Sequence, residues 1–295
     1  MPSEPGSGAQ APATGQPTLR ALRRRWPLAL AGLVLAVLAW PLLDASFPDG
    51  ARAVESATSL DAGQKELERV MDAYGGLERL LSAGVAVALI EDEWSPLFSS
   101  FSYWPEPSMR VDFAARPATP SYLARFAFPS GELWGQDGDP WVVEHGQSNP
   151  DSPKRFRAGY AALETPRLLL LPFAPAIERA KVVLHRAGDP ATGSPHILSV
   201  RFRKPNRSAE HLAEWRLYID PNTHLIREVV LEQTAISDAP ILVDCLVEGL
   251  REAGGLRFPD RYRCAISNRI RVPLFVRSLR SVDLRPETPG MFRRS

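Results

Sequence analysis

The nitrogen and sulfur side chains most used to ligate a transition metal or carry redox chemistry are few: five histidines, His145, His185, His196, His211 and His224, and two cysteines, Cys245 and Cys264. No histidine pair has the i, i+4 spacing that sets two imidazoles on one helix face, and neither cysteine lies in a Cys-x-x-Cys pattern. His185 and His196 flank a turn built on Gly188, Asp189, Pro190 and Gly193. They can approach one another there, but they read as structural histidines, so no metal and no cofactor is expected. There is no Gly-x-Ser-x-Gly elbow to expose a nucleophile and no Gly-rich loop to cradle phosphate. The expectation is a protein that is not an enzyme. The acidic run Glu91-Asp92-Glu93 reads as a solvated strand end, because three consecutive residues cannot all face one way on a strand.

Aromatic residues are more informative. They crowd the first half of the folded chain, and Trp94, Phe101, Tyr103, Phe113, Phe126, Phe128 and Trp134 are the candidates to line an apolar ligand cavity. Phe126 and Phe128 share one strand face, and Phe101 and Tyr103 another. Ordinary core and cross-strand packing is the alternative for each of them. The cysteines invite a register argument. A two-residue turn at Gly254-Gly255 sets Glu248 opposite Arg261, Val247 opposite Tyr262 and Cys245 opposite Cys264. Directly opposed residues lie within disulfide reach, so Cys245 and Cys264 are a disulfide candidate, with two buried free thiols as the alternative.

The elements that must position these groups are mostly strands. A helix is predicted over about Asp61 to Tyr74, with Asp61 as N-cap and Gln64 three residues on. Leu67, Val70, Met71 and Tyr74 form its apolar face, and Gly75-Gly76 ends it. A short helical turn, Leu77 to Leu81, follows. Strands are predicted at Val85 to Trp94, Ser99 to Trp104, Ser108 to Ala114, Tyr122 to Phe128, Glu132 to Gln136 and Trp141 to Glu144. A helical stretch, Lys154 to Leu171, is broken by Pro166. Strands resume at Ala180 to His185, His196 to Arg203, Glu214 to Ile219, Ile226 to Gln233, Ile241 to Arg251, Leu256 to Ser267 and Leu274 to Leu284. That order predicts an α+β chain built on one large antiparallel sheet.

Ahead of the fold stands a different kind of sequence. Residues 1–19 are rich in Pro, Gly, Ala and Ser and bury too little apolar surface to order themselves. Residues 20–43 begin with Arg20, Arg23, Arg24 and Arg25 and continue as Trp26 to Leu43 without a charge. As a helix this run spans about 27 Å, near the hydrocarbon thickness of a bilayer. Arginines before it and indoles at its two ends predict a single-pass signal anchor in a bacterial inner membrane, with the N-terminus cytoplasmic and the C-terminal domain periplasmic. Ala51-Arg52-Ala53 has the small-x-small pattern of a cleavage site but lies about ten residues beyond the run, so retention is the reading adopted. Residues 44–59 read as a linker and 60–295 as the folded domain. With 35 cations against 34 anions and a net charge of +1, nothing in the charge balance calls for a nucleic-acid partner.

Three segments, in order, resemble one family. The first is Val70-Met71-Asp72-Ala73-Tyr74-Gly75-Gly76-Leu77-Glu78-Arg79-Leu80, a helix end leading to a long strand. The second is Leu217-Tyr218-Ile219-Asp220-Pro221-Asn222-Thr223-His224-Leu225-Ile226, and the third is Gly255-Leu256-Arg257-Phe258-Pro259. Together they resemble the LolA/LolB-like superfamily of periplasmic lipoprotein carriers over about Asp61 to Leu284. The resemblance implies a curved antiparallel sheet, an incomplete β-barrel closed by helices, with an apolar cavity for a lipid or lipoprotein acyl chain. A tethered chain departs from the freely diffusing carriers of that superfamily. The functional expectation is a membrane-tethered lipid- or lipoprotein-binding protein; the alternative is a cell-envelope interaction or sensory module with the same fold and no lipid, whose protein partner is unknown.

Overall fold

A computed structural model describes residues 47, 48, 50, 53–99, 102–118, 121–203, 212–233, 241–267 and 271–292. The expected leader, basic flank and membrane segment lie outside the described residues, as do Phe101 and His211. Among the described residues no helix is long and apolar enough to cross a membrane.

Helix α1 spans Ala57–Ala73 and α2 Leu77–Ala83. Six strands follow: β1 Val85–Trp94, β2 Ser108–Ala118, β3 Ser121–Ala127, β4 Leu133–Asp137, β5 Asp139–Glu144 and β6 Gln147–Ser148. Helices α3, Lys154–Leu169, and α4, Ala174–Ile177, separate these from seven more. Those are β7 Lys181–Arg186, β8 His196–Arg203, β9 Leu212–Ile219, β10 Ile226–Gln233, β11 Ile241–Ala253, β12 Leu256–Ile266 and β13 Val272–Arg285. All thirteen belong to one antiparallel open sheet in the order β6-β5-β4-β3-β2-β1-β13-β12-β11-β10-β9-β8-β7. The sheet is thus two meanders in which sequential strands pair, joined by a single long-range pairing of β1 with β13. One face carries the core. Inward positions alternate along each strand, as Ala86, Ala88, Ile90 and Trp94 do on β1 and Met109, Val111, Phe113 and Ala115 on β2.

Several local expectations change. Helix α1 starts four residues before Asp61 because Ser56 and Ser59 cap it reciprocally: Ser56 Oγ accepts the Ser59 N–H at 3.0 Å, and Ser59 Oγ accepts the Ser56 N–H at 2.9 Å. Asp61 instead pairs with Lys65 one turn on, at 2.7 Å. Part of the expected linker is docked, since Phe47 lies under the Arg216 guanidinium and Glu55 pairs with Lys181 and Arg201. Ser99 to Trp104 is not a strand; its described residues bend between Pro96 and Pro105, where prolines cannot donate to a ladder. Helix α3 runs through Pro166 rather than breaking there. The missing N–H removes one helical bond, but Leu170 N–H still donates to Pro166 O at 2.8 Å and the surrounding turn is buried.

The β11–β12 hairpin has the register that the Gly254-Gly255 turn predicts, with Val247 opposite Tyr262, Glu248 opposite Arg261 and Cys245 opposite Cys264. The two cysteines are joined as a disulfide. Glu248 is shared by Arg261 at 3.9 Å and Arg263 at 3.0 Å.

Candidate functional site

The aromatic residues of the first meander converge on Trp104, which sits in the loop between β1 and β2. Strand register accounts for much of this: Phe113 of β2 is directly opposite Phe126 of β3, which is directly opposite Trp134 of β4. The Phe113 and Phe126 rings stack at 5.1 Å between centroids. Phe128 meets Trp134 edge-on at 4.9 Å, and Trp104 touches Phe126, Phe128 and Trp134 at 5.4, 5.9 and 6.3 Å. A second group adjoins it. Trp94 stacks on Phe275 of β13 at 4.8 Å and meets Tyr103 edge-on at 6.2 Å, while Tyr103 touches Trp104 at 4.6 Å. All six described candidates are therefore buried in one continuous aromatic cluster, packed ring against ring.

Helix α3 covers this cluster, lying over β3, β4 and β5. Its buried residues include Ala158, Ala161 and Ala162, and the Tyr160 ring meets Tyr103 at 5.4 Å. Each end of the helix is tied by charge. At its start Lys154 pairs with Glu132 at 2.8 Å and Glu144 at 2.9 Å. Near its end Arg167 makes a two-toothed contact with Glu178, at 2.6 and 2.5 Å, and stacks over the Phe202 ring at 4.5 Å. Burial raises the Glu164 carboxyl above its usual range despite Arg167 at 3.2 Å.

Beneath α3 the sheet carries an ion pair in its apolar face. Asp92 is 1% exposed and Arg277 4% exposed. Arg277 Nε and Nη2 donate to the two Asp92 oxygens at 2.7 and 2.6 Å, and Trp104 Nε1 donates to Asp92 Oδ2 at 2.6 Å. Arg277 Nη2 also donates to the Tyr103 hydroxyl, whose pKa burial pushes up to about 12. A cavity of about 10 Å³ lies beside the guanidinium, lined by Ile90, Thr165, Leu169, Tyr262 and Leu279 among others. A volume of about that size holds one water.

The expectation that the Glu91-Asp92-Glu93 run is solvated thus fails at its middle residue. Period-2 counting places Asp92 between Ile90 and Trp94, on the apolar face, and a carboxylate there must have a partner. Arg277, between Phe275 and Leu279 on β13, carries the same signal. Trp104 also escaped the cavity candidates, and its position beside Pro105 offers no periodicity to find it by. Among the histidines, the structure pairs His196 with His224, their rings nearly parallel at 6.3 Å.

No family model and no curated protein matches the sequence. Solved structures do resemble it. A DUF1329 family protein from Desulfovibrio piger superposes with a TM-score of 0.49 at 10% identity, covering 80% of this chain and 97% of that one. A LolA superfamily protein from Nitrosomonas europaea gives the same TM-score at 13% identity, covering 78% of this chain and 96% of that one.

Proposed function

We propose that this chain is a membrane-tethered, periplasm-facing protein that holds a lipid, or the acyl chain of a lipoprotein, against the aromatic face of a half-barrel. The observation that supports it most is the way the aromatic cluster is covered. One helix, α3, lies over β3, β4 and β5, buries three alanines and is fastened at its two ends by ion pairs. Moving that helix aside breaks no strand pairing and uncovers a continuous apolar surface of Trp104, Phe113, Phe126, Phe128 and Trp134, the kind of lining that acyl chains occupy. Binding therefore costs the α3 contacts and returns buried apolar area, about 25 cal/mol for each Å² removed from water. The tether, Trp26 to Leu43, keeps the domain at the membrane where its ligand resides. No catalytic role is assigned to it.

A second reading is an envelope interaction module without lipid, and it draws on the same cluster, because rings that fill one another leave an interior that needs no ligand. Brominated acyl chains separate the two. In full-length protein carrying Trp26→Phe and Trp40→Phe, a brominated monoacylglycerol is expected to quench the remaining indoles saturably, more than its unbrominated parent does. Trp104→Phe and Trp134→Phe together are expected to remove most of that quenching. Equal fluorescence with the two ligands at saturating concentration sinks the lipid reading and leaves the interaction module.

A further inference from the structure

Helix α1 carries a carboxylate on the face with which it packs. Glu66 is 2% exposed and sits among Gly63, Leu67, Val70 and Met71, all buried. A charge placed so deeply needs partners; the Arg69 guanidinium supplies the cation, and two imidazoles approach the other oxygen. His224 Nδ1 lies 2.9 Å from Glu66 Oε1 and His196 Nε2 lies 4.0 Å from the same oxygen, while Arg69 donates to Oε2 at 3.0 Å. One donor atom from each of Glu66, His196 and His224 falls within 4.8 Å of the others.

Three separate elements build this convergence, and each is adapted to it. Gly63 lets α1 approach β7 closely, since a Cβ there would meet the Leu184 backbone nitrogen at 2.7 Å. His196 is the first residue of β8. His224 lies in the β9–β10 turn, which Asp220 shapes by accepting the N–H groups of Asn222 and Thr223 at 2.8 and 2.9 Å. Its φ of 56° is left-handed, a conformation that side chains other than Asn and Asp seldom adopt. A buried carboxylate in need of one hydrogen bond to Oε1 requires only one histidine, and two are aimed at it.

We infer that Glu66, His196 and His224 form a binding site for one divalent transition metal, zinc by ligand preference. Two imidazoles and a carboxylate are a zinc ligand set that leaves a fourth position open. That position faces solvent, because the His196 and His224 side chains remain 16% and 29% exposed. Bonds of about 2.0–2.1 Å set tetrahedral donors roughly 3.3 Å apart, so Glu66 and His224 are close to their places and His196, 4.0 Å from Glu66 Oε1, must close on both. His196 Nδ1 accepts the Gly188 N–H at 2.8 Å, which in the neutral ring puts the proton on Nε2. Loading moves that proton to Nδ1 with no net proton lost from the ring, and because Nδ1–H would then face the Gly188 N–H as a second donor, the ring turns away from Gly188 as it closes on the metal. Glu66 and His224 thus take the metal first and His196 closes the site. Arg69 holds the other carboxylate oxygen and so directs Oε1 inward. The loaded site ties α1 to β8 and to the β9–β10 turn.

Full-length protein titrated with Zn²⁺ against a competing chelator is expected to bind one ion per chain, and its melting temperature is expected to rise with zinc concentration. Glu66→Gln keeps the size of the side chain, and His224→Asn keeps a residue that tolerates left-handed φ. Each is expected to weaken zinc binding by at least the ~100-fold that outer-shell losses reach. His196→Asn, which retains an acceptor for Gly188, loses about 10-fold or more on the same scale. Cobalt(II) gives a readout on the wild-type chain alone: intense visible bands of four-coordinate geometry are expected. Stoichiometry far below one, weak six-coordinate bands, or folded variants that bind zinc as tightly as the wild type would each overturn the assignment.

Discussion

The two meanders of the sheet are built on different principles. In the second, β11 and β13 are 13 and 14 residues long, aliphatic side chains dominate the core face, and a disulfide joins β11 to β12. In the first, β4 to β6 shorten to 5, 6 and 2 residues, and cohesion comes from rings packed under a helix fixed at its ends. Stability in a protein is uneven, and elements that must move are drawn from its weaker parts. On the proposed function the contrast is a division of labour, with the second meander as scaffold and the first, with α3, as the part that rearranges.

The Asp92–Arg277 pair is where the halves depend on each other, because β13 supplies the cation and β1 the anion. Arg277→Ala leaves a buried carboxylate uncompensated, and a loss of about 3–5 kcal/mol is expected in urea denaturation. If the division of labour holds, hydrogen exchange in this variant rises first at α3 and β2 to β5. A uniform rise across the sheet breaks the comparison. Replacing Cys245 and Cys264 together by alanine opens a loop of 19 residues and is expected to cost about 3 kcal/mol. That loss should appear at β10 to β12 and leave the tryptophan emission of the aromatic cluster unchanged.

The last effect concerns pH. The Glu228 carboxyl on β10 is pushed up to about 7 by burial and by Asp244 beside it, with Arg271 opposing. An unfolded chain releases this proton near pH 4.3, so between there and about 7 the folded state binds more protons than the unfolded one. Stability at this site is accordingly greatest below that window and declines as pH rises through it. Glu228→Gln is expected to flatten the decline in melting temperature between pH 5 and 8, and an unchanged slope would remove Glu228 as its source.

Much of the strand pattern was legible because alternation and Pro/Gly punctuation are local signals. The β11–β12 register followed from one turn. What sequence reading missed were long-range pairings. Asp92 and Arg277 were each visible as a charge on an apolar face, yet nothing in the sequence said that they meet. The Glu66, His196 and His224 convergence was less legible still, since its members come from a helix, a strand start and a turn. Spacing rules for metal ligands see only neighbours on one element. The α1 cap was misread for a nearer reason: Asp61-Gln64 and Ser56-Ser59 each suit a helix start, and reciprocal serine bonds decided between them.

The pairing of β1 with β13 has a consequence for how the chain comes to be folded at all. Among the described residues every other strand pairing joins consecutive strands, whereas this one brings Val85 opposite Arg285. Contacts between residues so distant in sequence form slowly, after the chain entropy of closing the intervening loop has been spent. The first meander therefore waits with β1 as a bare edge until the last strand has been synthesised. During that wait its row of unpaired backbone groups is open to any other extended segment. The C-terminal strand is the stopper of the fold, and a chain truncated before residue 272 would bare the β1 and β12 edges to aggregation and leave Asp92 without Arg277.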